Sequence, residues 1–306
     1  MIGQSVVGLE YFVLDVFTTE RFGGNPLAVV NEADQLTGDQ MQQIAAEFNL
    51  SETVFVLRPQ DRQNTACLRI FTPARELPFA GHPTVGTAIL LAELGADFSR
   101  DIHKTIRFEE QIGLIVVEVS KLVGEPTYGE FAAAKMPKRV MTVPDNEQVA
   151  AALGIAAKDI GFGLHKVTVF DAGNAPLFVP LTSRQVLAET SPNSQNWAAL
   201  EGAGAFGVYP YCRGANGCEE FHVRLFAPEA GIIEDPATGS AAVAFAGALN
   251  EALMLEDGAH RWLIHQGEDM GRPSRIDLKA EVAGGQVVSV KVGGHGVRVA
   301  RGVISV

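Results

Sequence analysis

RIFTPARELPFAGHPTVGTA (residues 69–88) and RLFAPEAGIIEDPATGSA (residues 224–241) are two versions of one pattern, an Arg-x-Phe-x-Pro start and a [His/Asp]-Pro-x-x-Gly-[Thr/Ser]-Ala end, with spacings that differ by two residues. A second echo precedes each copy. VLDVFTTERFGGNPLAVV (residues 13–30) resembles VTVFDAGNAPLFVPL (residues 167–181): a strand pattern, Gly-Asn, a proline and another apolar strand. A looser third echo sets SETVFVLRP (residues 51–59) against GAFGVYPYC (residues 204–212). Because the order is preserved, the chain reads as a duplication, two related halves rather than one continuous domain. Its 306 residues agree with that, since roughly 150 residues per domain is the usual scale, and two domains sharing a cleft follow.

Local signals fill in each half. Thr37 with Gln40 forms a capping-box pattern, and Met41, Ile44, Ala45 and Phe48 fall on one helical face, which predicts a surface amphipathic helix. After His82, Pro83 stands at a favoured first helical position and TVGTAILLAEL follows with almost no polar face before Gly95, which predicts a buried helix. After Asp235, Pro236 opens GSAAVAFAGAL, small and apolar all round, and predicts a second. Strand-like runs such as LRIFT, TIRFEE, GLIVVEVS, FHVRLF and VVSVKV surround both. The expected fold is therefore α+β: two pseudo-symmetric domains, each a curved, mostly antiparallel sheet or barrel around a central buried helix. We expect an N-terminal half over residues 1–130 and a C-terminal half over 131–306, with the last strand returning to the first domain. The link is expected between residues 126 and 145, where Pro, Gly and Lys interrupt the periodicity. The glycines of KVGGHGVRVARG (residues 291–302) have no following helix, so they read as turns between strands and not as a phosphate loop.

Composition narrows the function. A net charge of -12 and a pI near 5.1 work against binding phosphate backbones or anionic membranes, so neither nucleic acid nor membrane is an expected partner. The opening MIGQSVVGLEYF lacks a basic segment followed by an apolar run, and no stretch approaches the about 18 apolar residues of a membrane span, which predicts a cytoplasmic protein. Cys67, Cys212 and Cys218 form no CxxC pair and read as reduced thiols, and the seven histidines show no HExxH, so no metal is expected.

The repeat directs attention to its own ends. His82 and Asp235 occupy corresponding positions, each just before the proline of a buried helix, an N-cap-like place where backbone N–H groups lack intrahelical acceptors. Two such helix starts facing one another would hold an anion, with Gly81, Gly239 and Ser240 allowing close approach and Ser240 adding a hydroxyl; a substrate carboxylate suits that pocket. Taken alone, Asp235 also reads as a plain cap and His82 as a hydrogen-bonded loop histidine. Glu52 stands at the head of a strand with Val54 and Val56 on its side. If that side is buried, desolvation raises its pKa toward neutrality, where one group can both remove and return a proton. The alternative is a solvated strand-end glutamate. The third echo places no carboxylate opposite it, so only one half would supply a base.

In this order, DVFTTERFGGNPLAVV (residues 15–30), NLSETVFV (residues 49–56), the two helix-start segments and QGEDMGRPSRI (residues 266–276) resemble the phenazine-biosynthesis PhzF-like family over nearly the whole chain. The resemblance implies the fold of diaminopimelate epimerase. It also implies an isomerase acting without a cofactor on a 2,3-dihydro-3-hydroxyanthranilate, and a homodimer. The glutamate, histidine, aspartate and serine around substrate in the phenazine enzyme match Glu52, His82, Asp235 and Ser240. The related epimerases use two cysteines, which neither helix start carries, so a two-thiol racemase is disfavoured. The expected activity is a proton shift on a small carboxylate-bearing metabolite, with Glu52 as base and acid and with His82 and Asp235 positioning substrate. Two other readings stay open: a binding or interaction module for a small acid without turnover, and an epimerase or racemase pairing Glu52 with a second acid from the His82 or Asp235 region.

Overall fold

The computed structural model describes residues 8–140, 142–201 and 207–306. The chain divides into two units, Met1–Phe131 with Gly294–Val306, and Ala132–Gly293. In chain order the elements are β1 (Gly8–Val16), β2 (Asn25–Val30), α1 (Gly38–Phe48), β3 (Glu52–Leu57), β4 (Ala66–Phe71), β5 (Glu76–Leu77), α2 (Gly81–Glu93), β6 (Ile102–Glu110), β7 (Gly113–Lys121) and β8 (Tyr128–Ala132). There follow β9 (Lys138–Val140), α3 (Asn146–Leu153), β10 (Thr168–Asp171), β11 (Leu177–Pro180), α4 (Arg184–Glu189), α5 (Ser194–Glu201), β12 (Val208–Gly214), β13 (Gly217–Val223), α6 (Gly239–Leu253), β14 (Gly258–Gln266), β15 (Ser274–Ala283) and β16 (Gln286–Ser305).

The two units repeat one pairing scheme. In the first, β1/β2 is antiparallel, β2/β3 parallel, β3/β4 antiparallel, β4/β6 parallel, and β6/β7 and β7/β8 antiparallel. In the second, β10/β11, β11/β12, β12/β13, β13/β14, β14/β15 and β15/β16 follow the same alternation. Each parallel step needs a crossover, and the helices fall there: α1 and α2 in the first unit, α4 with α5 and then α6 in the second. In the first unit β16 also pairs antiparallel with β1, from Gly8↔Ser305 to Val16↔Gly296, and closes an eight-stranded barrel. In the second unit the corresponding place beside β10 is taken by β9.

The central helices are buried as their uniform apolarity predicts. In α2, every residue from Gly81 to Leu90 is buried, and a Cβ on Gly86 would lie 2.5 Å from Val16 and 2.7 Å from Leu27, so only glycine allows that contact. In α6, Phe245 sits at the centre of an aromatic cluster, 4.8 Å from Tyr211 and 5.3 Å from Phe178 between ring centroids. The α1 helix lies outside. Its Thr37/Gln40 capping box forms, and Met41, Ile44 and Ala45 pack with Phe55 and Phe71.

The Arg-x-Phe start of the repeat also acquires a structural meaning. Arg69 forks onto Glu76 at 2.7 Å through two nitrogens and lies over the Phe71 ring; Arg224 forks onto Glu234 at 2.9 and 2.7 Å and lies over Phe226. In both copies the guanidinium is stacked on a ring and paired with a carboxylate at once.

One expectation about local structure is corrected. The glycines of residues 291–302 are not turns but lie inside one strand, β16. They are small because neighbours press on that strand: a Cβ on Gly296 would meet Ile89 of α2 at 3.1 Å, and one on Gly302 would meet the Tyr11 ring at 2.7 Å. The boundary between the two units, Phe131/Ala132, falls inside the interval expected as the link, which also holds β8 and β9; Met141 within it lies outside the described residues.

Candidate active site

In the first unit, strand alternation sends Phe55 of β3 into the α1 cluster, so Glu52 and Val54 point the other way. Glu52 meets the start of α2, where its Oε2 lies 3.3 Å from His82 Nε2. Both residues are buried, Glu52 at 8% and His82 at 4% exposure, so the solvated strand-end reading of Glu52 does not hold. A protonated His82 would form an ion pair with Glu52 at this distance, but its burial dominates and depresses the imidazole to about 3, leaving it neutral.

His82 is not an N-cap. The cap of α2 is Ala80, in extended conformation, which makes His82 the second helical residue and Pro83 the third. Proline is tolerated there because the first-turn N–H groups have no intrahelical acceptor. Ala80 offers no side-chain acceptor, so the N–H groups of Gly81 and His82 open the helix without a side-chain cap. Peripheral helices differ: α1 and α3 carry complete capping boxes at Thr37 and Asp145, and Ser183 caps α4.

In the second unit the helix starts four residues after Asp235, with Thr238 as the cap and Gly239 first, so Pro236 is not the opening helical residue either. Asp235 binds the cap residue itself. Thr238 Oγ1 donates to Asp235 Oδ2 in a very short hydrogen bond, and so does not cap α6. Gln266, fully buried, holds this turn: its Nε2 donates to Asp235 O at 2.8 Å and Thr238 Oγ1 at 2.9 Å, and its Oε1 accepts from Thr238 N at 3.1 Å. Ser240, second in α6, accepts from Asn174 Nδ2 at 3.2 Å. Burial, with the Asp235 charge adding to it, pushes the Tyr209 phenol well above its usual range.

The place of Glu52 in the second unit is occupied without a carboxylate. Glu52 pairs with Leu27, and Leu177, the echo of Leu27, pairs with Val208. Thr53 pairs with Phe71, and Phe226, the echo of Phe71, bridges Val208. These registers bracket the counterpart to Gly207–Val208, two to three residues beyond where the loose sequence echo set it. Residues 204–206 of that echo lie outside the described residues. A Cβ on Gly207 would stand 2.7 Å from Phe226 O, so no side chain fits there.

Sequence reasoning missed Thr238, Gln266 and Asn174. Gln266 and Asn174 were signalled only by membership of QGEDMGRPSRI and of the Gly-Asn echo. The cysteines lie elsewhere, Cys67 on β4, Cys212 on β12 and Cys218 on β13, and burial pushes the Cys212 thiol up to about 11. Among the described residues, no helix is long and apolar enough to cross a membrane.

A mixed α+β scaffold of two like-built units, each with an uncapped buried helix start, is the diaminopimelate epimerase-like fold, and the protein is an isomerase of that class. The chain belongs to the phenazine biosynthesis-like family (PhzC-PhzF), whose model matches residues 14–302. It is 45% identical to an uncharacterized isomerase of Mesorhizobium japonicum, over 96% of this chain and 97% of that one. It is 36% identical to the trans-2,3-dihydro-3-hydroxyanthranilate isomerase of Pseudomonas aeruginosa, over 96% and 98%. The crystal structure of a PhzF-family phenazine biosynthesis protein of Bacillus anthracis, 24% identical, shares the fold with a TM-score of 0.86 over 97% of this chain and 99% of that one.

Proposed function

We propose that this isomerase works without a cofactor by moving a proton on a small carboxylate-bearing substrate of the trans-2,3-dihydro-3-hydroxyanthranilate class, with Glu52 as general base and acid. The observation that carries this reading is the burial of Glu52 beside a neutral His82 at 3.3 Å. A desolvated carboxylate next to an uncharged imidazole can take a proton from a ring carbon and hold it as a carboxylic acid. Returning that proton to another ring carbon moves the double bond, leaves the substrate's composition unchanged and restores the carboxylate. His82 positions the reacting group by hydrogen bonding. In the first unit the start of α2 at Gly81, and in the second the start of α6 at Gly239 and Ser240 beside the acceptor Asp235, each present polar groups suited to a carboxylate. The 36% identity to an enzyme named for that substrate supports the substrate class.

The test is proton NMR in D2O with trans-2,3-dihydro-3-hydroxyanthranilate. Wild type should isomerise it with solvent deuterium entering a ring carbon, and Glu52→Gln should slow this by about 10²–10⁴-fold, the usual worth of a general acid–base group. A Glu52→Gln protein that keeps the wild-type rate removes Glu52 from the role. A folded wild type that binds the compound with neither isomerisation nor exchange favours a binding module instead.

A further inference from the structure

We infer that Glu110 is held as a neutral carboxylic acid and serves as a positioning residue, bracing through Thr84 the first turn of α2 that carries Gly81 and His82. This rests on the role proposed for that helix start.

Glu110 ends β6 at 8% exposure and meets α2 at Thr84. Thr84 Oγ1 lies 2.7 Å from Glu110 Oε1 and 2.8 Å from Ala80 O. A hydroxyl has one proton to donate, and both neighbours are oxygens. The two bonds coexist when Thr84 donates to the Ala80 carbonyl and Glu110 donates its own proton to Thr84 Oγ1. The other carboxyl oxygen, Oε2, is buried without a hydrogen-bond partner among the described residues, tolerable for a C=O and costly for an ionised carboxylate. The charged and titratable groups around it leave the acid uncompensated. On β4 and β5, Arg69 is committed to Glu76. Neighbouring Glu109 accepts from Gln60, Asp61 and Asn64, Cys67 is a thiol whose pKa is raised by burial, and His82 on α2 is neutral. Burial accordingly lifts the Glu110 carboxyl to about 8.

Ala80 is the cap of α2, and its carbonyl also accepts from Thr84 N at 3.3 Å, so the brace ties the turn that presents the Gly81 and His82 N–H groups. When Glu110 ionises, it draws the Thr84 proton away from Ala80 and puts a negative charge beside a helix start that favours anions. Carboxylate binding then weakens as pH rises, while a glutamine at 110 keeps a donor to Thr84 and gains no charge.

The experiment combines the carboxyl 13C resonance of Glu110 with calorimetric binding of anthranilate, a carboxylate that does not turn over, from pH 6 to 9.5. The resonance should remain that of the acid at neutral pH and titrate near 8. The anthranilate Kd should rise by about tenfold between pH 7 and 9 in wild type and stay flat in Glu110→Gln, the scale of one unfavourable charge. A resonance that titrates in the ordinary carboxylate range, or a Glu110→Gln protein with the wild-type pH dependence, overturns the inference. If anthranilate binds neither protein at any pH, the carboxylate reading of the helix start fails; a resonance titrating near 8 in that case still upholds the brace.

Discussion

His82 shows how burial decides the chemistry of a single side chain. Its pKa falls from about 6.5 in the unfolded chain to about 3 in the fold, so between these values the unfolded state binds more protons. This contribution to stability is complete above about pH 6.5 and is lost as pH falls toward 3, at no more than about 1.4 kcal/mol per pH unit. Glu110 has the opposite sign: its pKa rises to about 8, the fold binds the extra proton, and stability is lost as pH climbs from the ordinary carboxylate range through 8. Urea denaturation from pH 4.5 to 8.5 should therefore find His82→Gln flatter than wild type on the acid side. A His82→Gln protein with an unchanged acid slope would mean that His82 titrates normally. For the same reason the acid limb of kcat/KM, measured on a turned-over substrate, should carry no inflection near 6.5 from this residue.

At the scale of elements, the start of α6 depends on a clamp that begins in another strand. Gly267 adopts a left-handed φ of +75°, and a Cβ there would stand 2.4 Å from Arg272 O and 2.7 Å from Pro236 O. Gly267→Ala should cost about 2–4 kcal/mol, combining backbone strain and overpacking, and thermal denaturation will read it as a lowered Tm. Gln266→Leu keeps the bulk but removes the bonds that Gln266 makes to Thr238 N and Asp235 O in a buried turn, for a loss of about 2–4 kcal/mol. An unchanged Tm in both variants would show that the turn holds itself. Arg224 acts on a different helix end. Besides its fork on Glu234, Nη1 donates to the carbonyls of Leu187, Ala188 and Thr190, where α4 runs out of intrahelical donors. Lysine cannot reproduce that set, so Arg224→Lys should destabilise by about 2–3 kcal/mol in a denaturant titration.

At the scale of the whole molecule, the chain's end is part of its beginning. Residues 296–305 pair with β1 along its length, so a chain ending at Gly293 would leave the first unit's barrel open and the edge of β1 unpaired. Such a chain should aggregate in size-exclusion chromatography and lose cooperative unfolding of that unit; a monodisperse, fully cooperative product would show that closure is dispensable. The long-range nature of that pairing also sets the limit of what the sequence could say. Its repeats and all-apolar helices determined the duplication and the central helices, and marked His82, Asp235 and Ser240 as candidates beside Glu52 at a strand head, because periodicity and composition are local properties that burial must respect. Tertiary structure alone decided where α6 begins, since a glutamine 28 residues beyond Thr238 fixes the turn, and decided that the glycines of β16 lie within a strand, since side chains distant in sequence press on them. It also decided which groups are neutral. Glu110 ends a strand like many exposed glutamates, and nothing in FEE distinguishes it; its proton is set by desolvation and by the one hydroxyl it meets, and both exist only after the chain has folded.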